Sequence, residues 1–277
     1  MRAHSYLFVP ADRADRFHKA LASGAHIVIV DLEDAVAPES KDTAREALAR
    51  WLRDTPDVPI HLRTNGTQTP WFQDDIALCR SPGVRGIVLP KADSSAQVAE
   101  VARLCHGKPL LPLIETAQGM AAVRGIAGTP GVQRLLFGSI DFQADLGIAG
   151  DDDALLAFRS ELVLASRLGD LAAPVDGVTT ALDDPDAITR DTARARRLGF
   201  GGKLCIHPKQ VAAVNAGFAP SAPEVDWARR VVEAIRASQG AAVAVDGKMV
   251  DAPVVKRAEA ILLSADHTGH ADPGSTP

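Results

Sequence analysis

Two acids in matching positions give this 277-residue chain its chemical interest: Glu115 closes the run Leu113-Ile114, and Asp141 follows Phe137-Gly138-Ser139-Ile140. Each stands where a buried parallel strand would emerge from the core. Oxygen donors with no His or Cys beside them suit a hard cation such as Mg2+, which takes one or two carboxylates and leaves its other positions to water and substrate. The same acids would also stabilise the start of a following helix, where negative charge meets the positive end of the helix dipole. Arg63 ends a third run, Ile60-His61-Leu62. Its planar, always-charged fork suits a substrate carboxylate or a developing oxyanion, and equally a structural ion pair with Asp31 or Glu33.

Charge recurs at the other run ends. Reading along the chain, the runs close on Pro10, on Asp31 with Glu33 and Asp34, on Arg63, Lys91, Glu115, Asp141, Asp176 and His207. In Asp31-Leu32-Glu33-Asp34, period-two alternation points Asp31 and Glu33 to one side while Asp34 begins the loop. That arrangement suits holding Arg63 and Lys91 in place better than it suits a direct catalytic role. Arg13 and Lys19, in and after the first loop, can reach the phosphates of an anionic ligand, although helix-surface cations are usually just solvated. No Gly-x-Gly-x-x-Gly, Walker or Gly-x-Ser-x-Gly motif is present, which removes the usual warrants for dinucleotide, nucleoside triphosphate and serine-hydrolase chemistry.

These residues need elements to position them. Short β-rich runs fall at Ser5–Val9, Ile27–Leu32, Val58–Arg63, Gly86–Pro90, Leu110–Glu115, Arg134–Ser139, Ala173–Val178 and Lys203–Ile206. Between them lie helical patterns at Asp12–Ser23, Lys41–Arg53, Trp71–Arg80, Ser95–His106, Gln118–Ala127, Asp153–Leu168, Pro185–Leu198 and Pro208–Asn215. Strict alternation of β and α implies a parallel sheet, and this number of units favours closure into a (β/α)8 TIM barrel, whose catalytic face is the C-terminal end of its strands. Ser40 is placed to cap the helix starting at Lys41, and Gly24 and Gly199 to end helices. After a linker at Ala219–Pro223 come an amphipathic helix over Glu224–Gln239, a β run at Ala241–Val245, a turn at Asp246-Gly247-Lys248 and a last helix over Pro253–Ser264. The expected organisation is a catalytic barrel over 1–218, a C-terminal extension over 219–264 and a flexible tail over 265–277.

Apolar residues make up 46% of the chain, ample for a sizeable core, and the formal charge of −5 is interspersed, so no basic stripe argues for nucleic acid or an anionic membrane. Cys79, Cys105 and Cys205 lack paired spacing and read as buried thiols rather than as a disulfide framework or zinc site. No membrane span or leader is legible, and a cytoplasmic enzyme with a small-molecule substrate is the expectation.

Taken in order, several segments are recognisable together: Ser5-Tyr6-Leu7-Phe8-Val9-Pro10-Ala11, Asp31-Leu32-Glu33-Asp34-Ala35-Val36-Ala37-Pro38, Arg63-Thr64-Asn65-Gly66, Leu89-Pro90-Lys91, Ile114-Glu115-Thr116-Ala117, Gly138-Ser139-Ile140-Asp141-Phe142 and Ile206-His207-Pro208-Lys209-Gln210. They resemble the citrate lyase β-subunit-like group of the HpcH/HpaI aldolase superfamily, which includes malyl-CoA and citramalyl-CoA lyases. The resemblance implies a Mg2+-dependent barrel, with Mn2+ able to substitute, that cleaves or forms a carbon–carbon bond between a 2-oxo acid and acetyl-CoA. It implies Glu115 and Asp141 as metal ligands, Arg63 on the oxo-acid oxygens, and Phe8, Arg13 and Lys19 on the CoA portion with Ile206, His207 and Pro208 on its other side. Gly247-Lys248-Met249-Val250-Asp251 resembles the element that the family lends to a neighbouring subunit, which implies Asp251 as the acid/base and a homotrimer or a hexamer. Thr64 departs from the Val or Ile that often follows the arginine, leaving the oxo acid open. The rival activities are an acyl-CoA thioesterase of the malyl-CoA type, a malate-synthase-like enzyme, a citrate lyase subunit acting on an acyl-carrier-protein thioester, and a CoA-independent aldolase.

Overall fold

The computed structural model describes residues 3–237 and 243–268. Eight parallel strands close into a barrel in sequence order: β1 Ser5–Pro10, β2 Ile27–Asp31, β3 Ile60–Arg63, β4 Val84–Leu89, β5 Leu110–Ile114, β6 Leu136–Phe137, β7 Val175–Asp176 and β8 Gly202–Cys205. Around them run α1 Phe17–Leu21, α2 Lys41–Asp54, α3 Phe72–Ala77, α4 Ser95–Leu104, α5 Ala117–Ala121, α6 Val123–Ala127, α7 Ser139–Leu146, α8 Leu156–Leu168, α9 Pro185–Leu198 and α10 Val211–Phe218. This is the (β/α)8 architecture that the alternation implied.

The barrel is filled rather than hollow. Tyr6, Ile29, Val88, Leu111, Leu113, Leu136, Val175 and Leu204 form one buried cluster, drawn from inward-facing positions of seven strands. On β3 the alternation instead puts His61 on the same face as Arg63, and a Cβ on Gly86 would lie 2.5 Å from the His61 ring, so that ring occupies space the glycine leaves. Burial pushes the His61 pKa down to about 4, keeping it neutral. Arg134 donates to the Tyr6 hydroxyl, the Ala3 carbonyl and the Ala173 carbonyl, joining segments that precede or open β1, β6 and β7. Register sets the opposite end: Asp31 pairs level with Pro10 on one side and Arg63 on the other.

Local signals explain some element ends and fail at others. Asp184 Oδ1 accepts the N–H groups of Asp186 and Ala187, Pro185 supplies the first helical residue, and Gly199 at φ 99° closes α9. Ser40 does not cap α2: its backbone is already helical (φ −101°, ψ −6°), whereas a capping residue needs an extended one. The run expected as one helix over Gln118–Ala127 is two short helices broken at Ala122, where ψ is −1°. The expected strand over Arg134–Ser139 is only two residues long, because the chain turns out at Gly138 and starts α7 at Ser139. Asp141 therefore lies in the first turn of a helix and not at the end of a strand. All three cysteines are buried and free.

The chain divides into two compact units, residues 3–215 and a C-terminal unit from Ala216 onward. In the latter, α11 Ala222–Ala237 and α12 Ala252–Thr268 flank an antiparallel hairpin of β9 Val243–Val245 and β10 Lys248–Val250. Asp246 and Gly247 both hold positive φ (51° and 74°), as an Asp-Gly hairpin turn requires. Ala228, Val231, Val250 and Ala258 make a small core of their own, with Trp227, Val254 and Ile261 packed against it. The last helix outruns its expected end at Ser264; residues 269–277 of the expected tail, and Ala241 and Ala242 of the β run, lie outside the described residues. No described helix is long and apolar enough to cross a membrane.

Candidate active site at the C-terminal mouth of the barrel

Period-two alternation delivers the mouth residues. Leu111 and Leu113 point into the barrel, so Glu115 continues their face just above the last strand residue, and Ile29, Asp31 and Glu33 do the same on β2. Together with Phe8, Pro10, Arg63 and the turn Gly138–Asp141, Asp31 and Glu115 line a cavity of about 350 Å3.

One side of it is organised around Arg63, which is 8% exposed. Its Nε and Nη2 donate to the two oxygens of Asp31 at 2.7 and 2.6 Å, its Nη1 lies 3.0 Å from Glu33 Oε2, and its guanidinium carbon sits 4.8 Å from the Phe8 ring centre. Burial works against the guanidinium charge, but Asp31, Glu33 and Asp34 outweigh it and the pKa rises. Lys91 Nζ lies 2.7 Å from Glu33 Oε1, so Glu33 bridges two cations. Even so, burial leaves the Glu33 pKa above the ordinary carboxylate range.

The other side is organised around Glu115, which is 1% exposed. Glu115 Oε1 accepts the Lys91 backbone N–H at 2.7 Å, while Oε2 is buried with no hydrogen-bond partner among the described residues. Gly138 faces that oxygen, since a Cβ there would come within 2.6 Å of it. Burial first, then the charge of Glu33, push the Glu115 pKa up to about 8, and Asp141 adds to the rise. Asp141 itself is exposed on the cavity wall. An orphaned buried oxygen beside a second carboxylate, with no side-chain cation among the described residues bonded to either, fits a divalent cation that keeps most of its positions for water and substrate. Among the described residues no group of three or more His, Cys, Asp or Glu side chains converges.

A second groove of about 410 Å3 shares Phe8, Pro10 and Ile206 with the cavity and runs past Lys19, His207 and Pro208. Arg16, a helix-surface cation with no motif to mark it, also lines it. Arg13 does not: it is tied to Asp15 by two hydrogen bonds of 3.0 Å. His207 Nδ1 accepts the Lys209 N–H, starting the short turn that leads into α10. Asp176 faces away from the mouth, fully buried against Arg159 at 2.9 Å. Asp251 lies in the C-terminal unit, exposed, where its Oδ1 accepts the Val254 N–H at 3.4 Å at the start of α12.

The profile of the HpcH/HpaI aldolase/citrate lyase family matches residues 4–208 of this chain. The chain belongs to that family. A citrate lyase subunit beta-like protein of Deinococcus radiodurans is 36% identical over 274 residues, covering 93% of this chain and 95% of its own. A (3S)-malyl-CoA thioesterase of Cereibacter sphaeroides is 35% identical over 272 residues, covering 95% and 94%. The crystal structure of CitE from Mycobacterium tuberculosis in complex with magnesium, acetoacetate and coenzyme A aligns with a TM-score of 0.85 at 35% identity, covering 96% of this chain and all of that one.

Two supports of the HpcH/HpaI-type mouth had no signal in composition or periodicity. Lys41 Nζ donates to the carbonyls of Leu32 and Glu33 at 2.9 and 3.0 Å, and Asn65 Nδ2 reaches the Leu32 carbonyl at 3.0 Å. Asp75, held by Arg45 at 3.2 Å, takes both the backbone and the side-chain N–H of Asn65. Both supports act on main-chain carbonyls, which no residue pattern announces. Thr64, the departure at this motif, is fully buried with its hydroxyl lacking a partner among the described residues.

Proposed function

We propose that this protein is a Mg2+-dependent carbon–carbon lyase that splits the CoA thioester of a 3-hydroxy acid bearing a further carboxylate, such as citryl-, malyl- or citramalyl-CoA, into a 2-oxo acid and acetyl-CoA, or runs the reverse condensation. The observation that carries this reading is the partnerless buried oxygen of Glu115 in a cavity that also holds Arg63 and continues into a second groove. Glu115 and Asp141 would hold the cation, with Mn2+ as a substitute; bound there it supplies Lewis acidity to the oxygens of the oxo acid. Arg63 binds those oxygens from the opposite side. Its pairing with Asp31 fixes the plane of the fork; Nη1 is taken up by Glu33 and Asp34, and the second N–H on Nη2 is left to receive a carboxylate or carbonyl oxygen. Because that fork is preorganised, it stabilises developing charge without rearranging during the reaction.

The groove of Lys19, Arg16, His207 and Pro208 takes the CoA portion, its two cations suited to phosphate and its Phe8 and Ile206 edge leading the thioester to the cavity. Asp251, offered by the C-terminal unit of a neighbouring copy in a trimer or hexamer, returns a proton to the thioester α-carbon after cleavage and removes it in condensation. Asp251→Ala is then expected to keep Mg2+ binding and lose turnover by at least about 100-fold. The similarity to a (3S)-malyl-CoA thioesterase supports a second reading, in which water attacks the thioester. Supplying citryl-, malyl-, methylmalyl- and citramalyl-CoA with Mg2+ and following both products separates the two: a lyase yields a 2-oxo acid and an acyl-CoA (acetyl-CoA, or propionyl-CoA from methylmalyl-CoA) in equal amounts, whereas free CoA without a matching oxo acid would replace the first reading with the second.

A further inference from the structure

Lys91, in the turn after β4, holds a left-handed backbone at φ 47°, a conformation that disfavours a residue with a side chain and that glycine takes freely. Three contacts keep it there. Its N–H donates to Glu115 Oε1 at 2.7 Å, its carbonyl accepts from Gln97 Nε2 at 3.1 Å, and its ammonium lies 2.7 Å from Glu33 Oε1. Gln97 is fixed in turn, because its Oε1 takes the Asp93 N–H at 2.8 Å. The consequence falls on Glu115: one oxygen is occupied by a clamped amide, and the other, Oε2, is buried beside Gly138 with no hydrogen-bond partner among the described residues.

We propose that Lys91 is a positioning residue that makes Glu115 a one-oxygen donor and thereby biases the site toward Mg2+ over Ca2+. This rests on the reading of Glu115 as a cation ligand. Mg2+ demands a near-octahedral set of single oxygens, whereas Ca2+ accepts larger, irregular sets that include carboxylates binding through both oxygens. A carboxylate with Oε1 already engaged by a fixed N–H cannot swing to present both oxygens. The ammonium tether to Glu33 holds the left-handed amide on target; without it the backbone relaxes toward ordinary φ and the N–H leaves Glu115. The same tether couples the cation side of the cavity to Arg63, because Glu33 contacts both.

The test measures Mn2+ binding by electron paramagnetic resonance, with Mg2+ and Ca2+ as competitors, on the wild type, Lys91→Met, Lys91→Gly and Glu115→Gln, each checked by thermal melting without cation. Lys91→Met removes the tether and keeps the backbone strain, so Mg2+ affinity is expected to fall by about 10- to 100-fold. Ca2+ affinity should change by less than about threefold, which narrows the preference. Lys91→Gly removes the tether and the strain together, so both affinities are expected to stay within about threefold of wild type. Equal damage in both Lys91 variants would overturn the proposal, since the ammonium charge and not the amide would then matter. Indifference in both variants, with binding lost in Glu115→Gln, would overturn it while leaving the cation site intact. Binding that survives in Glu115→Gln would overturn the cation reading and this inference with it.

Discussion

The two sides of the cavity bury opposite charges, and they treat them oppositely. Arg63 enters the core with its partners built in: Asp31 grips it at two points, Glu33 and Asp34 add charge, and Phe8 covers its face. Glu115 enters the core short of partners, with one oxygen on an amide, the other on nothing among the described residues, and a pKa pushed up to about 8. Burying a charge is tolerable only when pairing and hydrogen bonds replace lost water. The Arg63 side meets that condition from within the chain, so it is structural and functional at once. The Glu115 side can meet it only from outside, by a proton or a cation, and that difference is what makes it a binding site.

Breaking the satisfied side should have the largest effect. Asp31→Ala leaves a buried guanidinium without its bidentate partner, and the expected loss is about 3–5 kcal/mol in urea unfolding, with turnover abolished. A change below about 1 kcal/mol would show that solvent reaches Arg63 and that the contrast between the sides is weaker than drawn. The unsatisfied side should respond with the opposite sign. In cation-free protein the unfolded chain ionises Glu115 near its ordinary value of 4.5 while the folded chain holds the proton until about 8, so stability falls as pH rises through that window. The fall is on the order of 4 kcal/mol. Glu115→Gln removes it, raising the urea midpoint at pH 8 relative to wild type. Added Mg2+ should raise the wild-type midpoint in a concentration-dependent way and leave the variant unmoved.

How much of this was legible in the sequence differs between the sides in the same manner. The barrel could be read because β runs and helical periods alternate throughout, and Arg63, Asp31, Glu33 and Glu115 could be read because period two carries a strand's inner face beyond its end. Asp141 was legible as a residue but not as a place: Phe137-Gly138-Ser139 continues an apolar run, and only backbone geometry shows the chain leaving the sheet at Gly138. Arg13 had the right charge and the wrong geometry, because Asp15, two residues on, claims it. The paired half of the asymmetry was legible, since Asp31 and Glu33 read as holding Arg63 and Lys91; the partnerless oxygen of Glu115 was not. It depends on which atoms find partners, a property of packing across elements far apart in the chain.

Smaller effects should come from groups that brace the mouth from behind. Lys41, 6% exposed, donates to the Leu32 and Glu33 carbonyls from behind the β2 turn. Lys41→Met is expected to cost about 2 kcal/mol, the scale of hydrogen bonds to a charged group. It should lower turnover by loosening Glu33 beneath Arg63, while Mn2+ affinity falls by less than in Lys91→Met, because Glu33 keeps its own contact with the Lys91 ammonium. If Mn2+ binding fell in step with turnover, the two sides would be one mechanical unit and the comparison would need to be redrawn around Glu33.

The smallest effect is expected next to Glu115 itself. Thr116 has the extended backbone of a capping residue (φ −133°, ψ 157°), accepts the Gly119 N–H at 2.9 Å and donates to Asp93 Oδ1 at 2.5 Å. Thr116→Ala should cost about 1 kcal/mol in urea unfolding, as loss of a helix cap generally does, and Thr116→Ser should recover most of it. Mg2+ affinity separates two origins for the orientation of Glu115. If the Lys91 amide sets it, Thr116→Ala leaves the affinity unchanged although the protein is less stable. If the start of α5 sets it, affinity and stability fall together, and the free oxygen of Glu115 would then owe its direction to its own helix and not to the strand beside it.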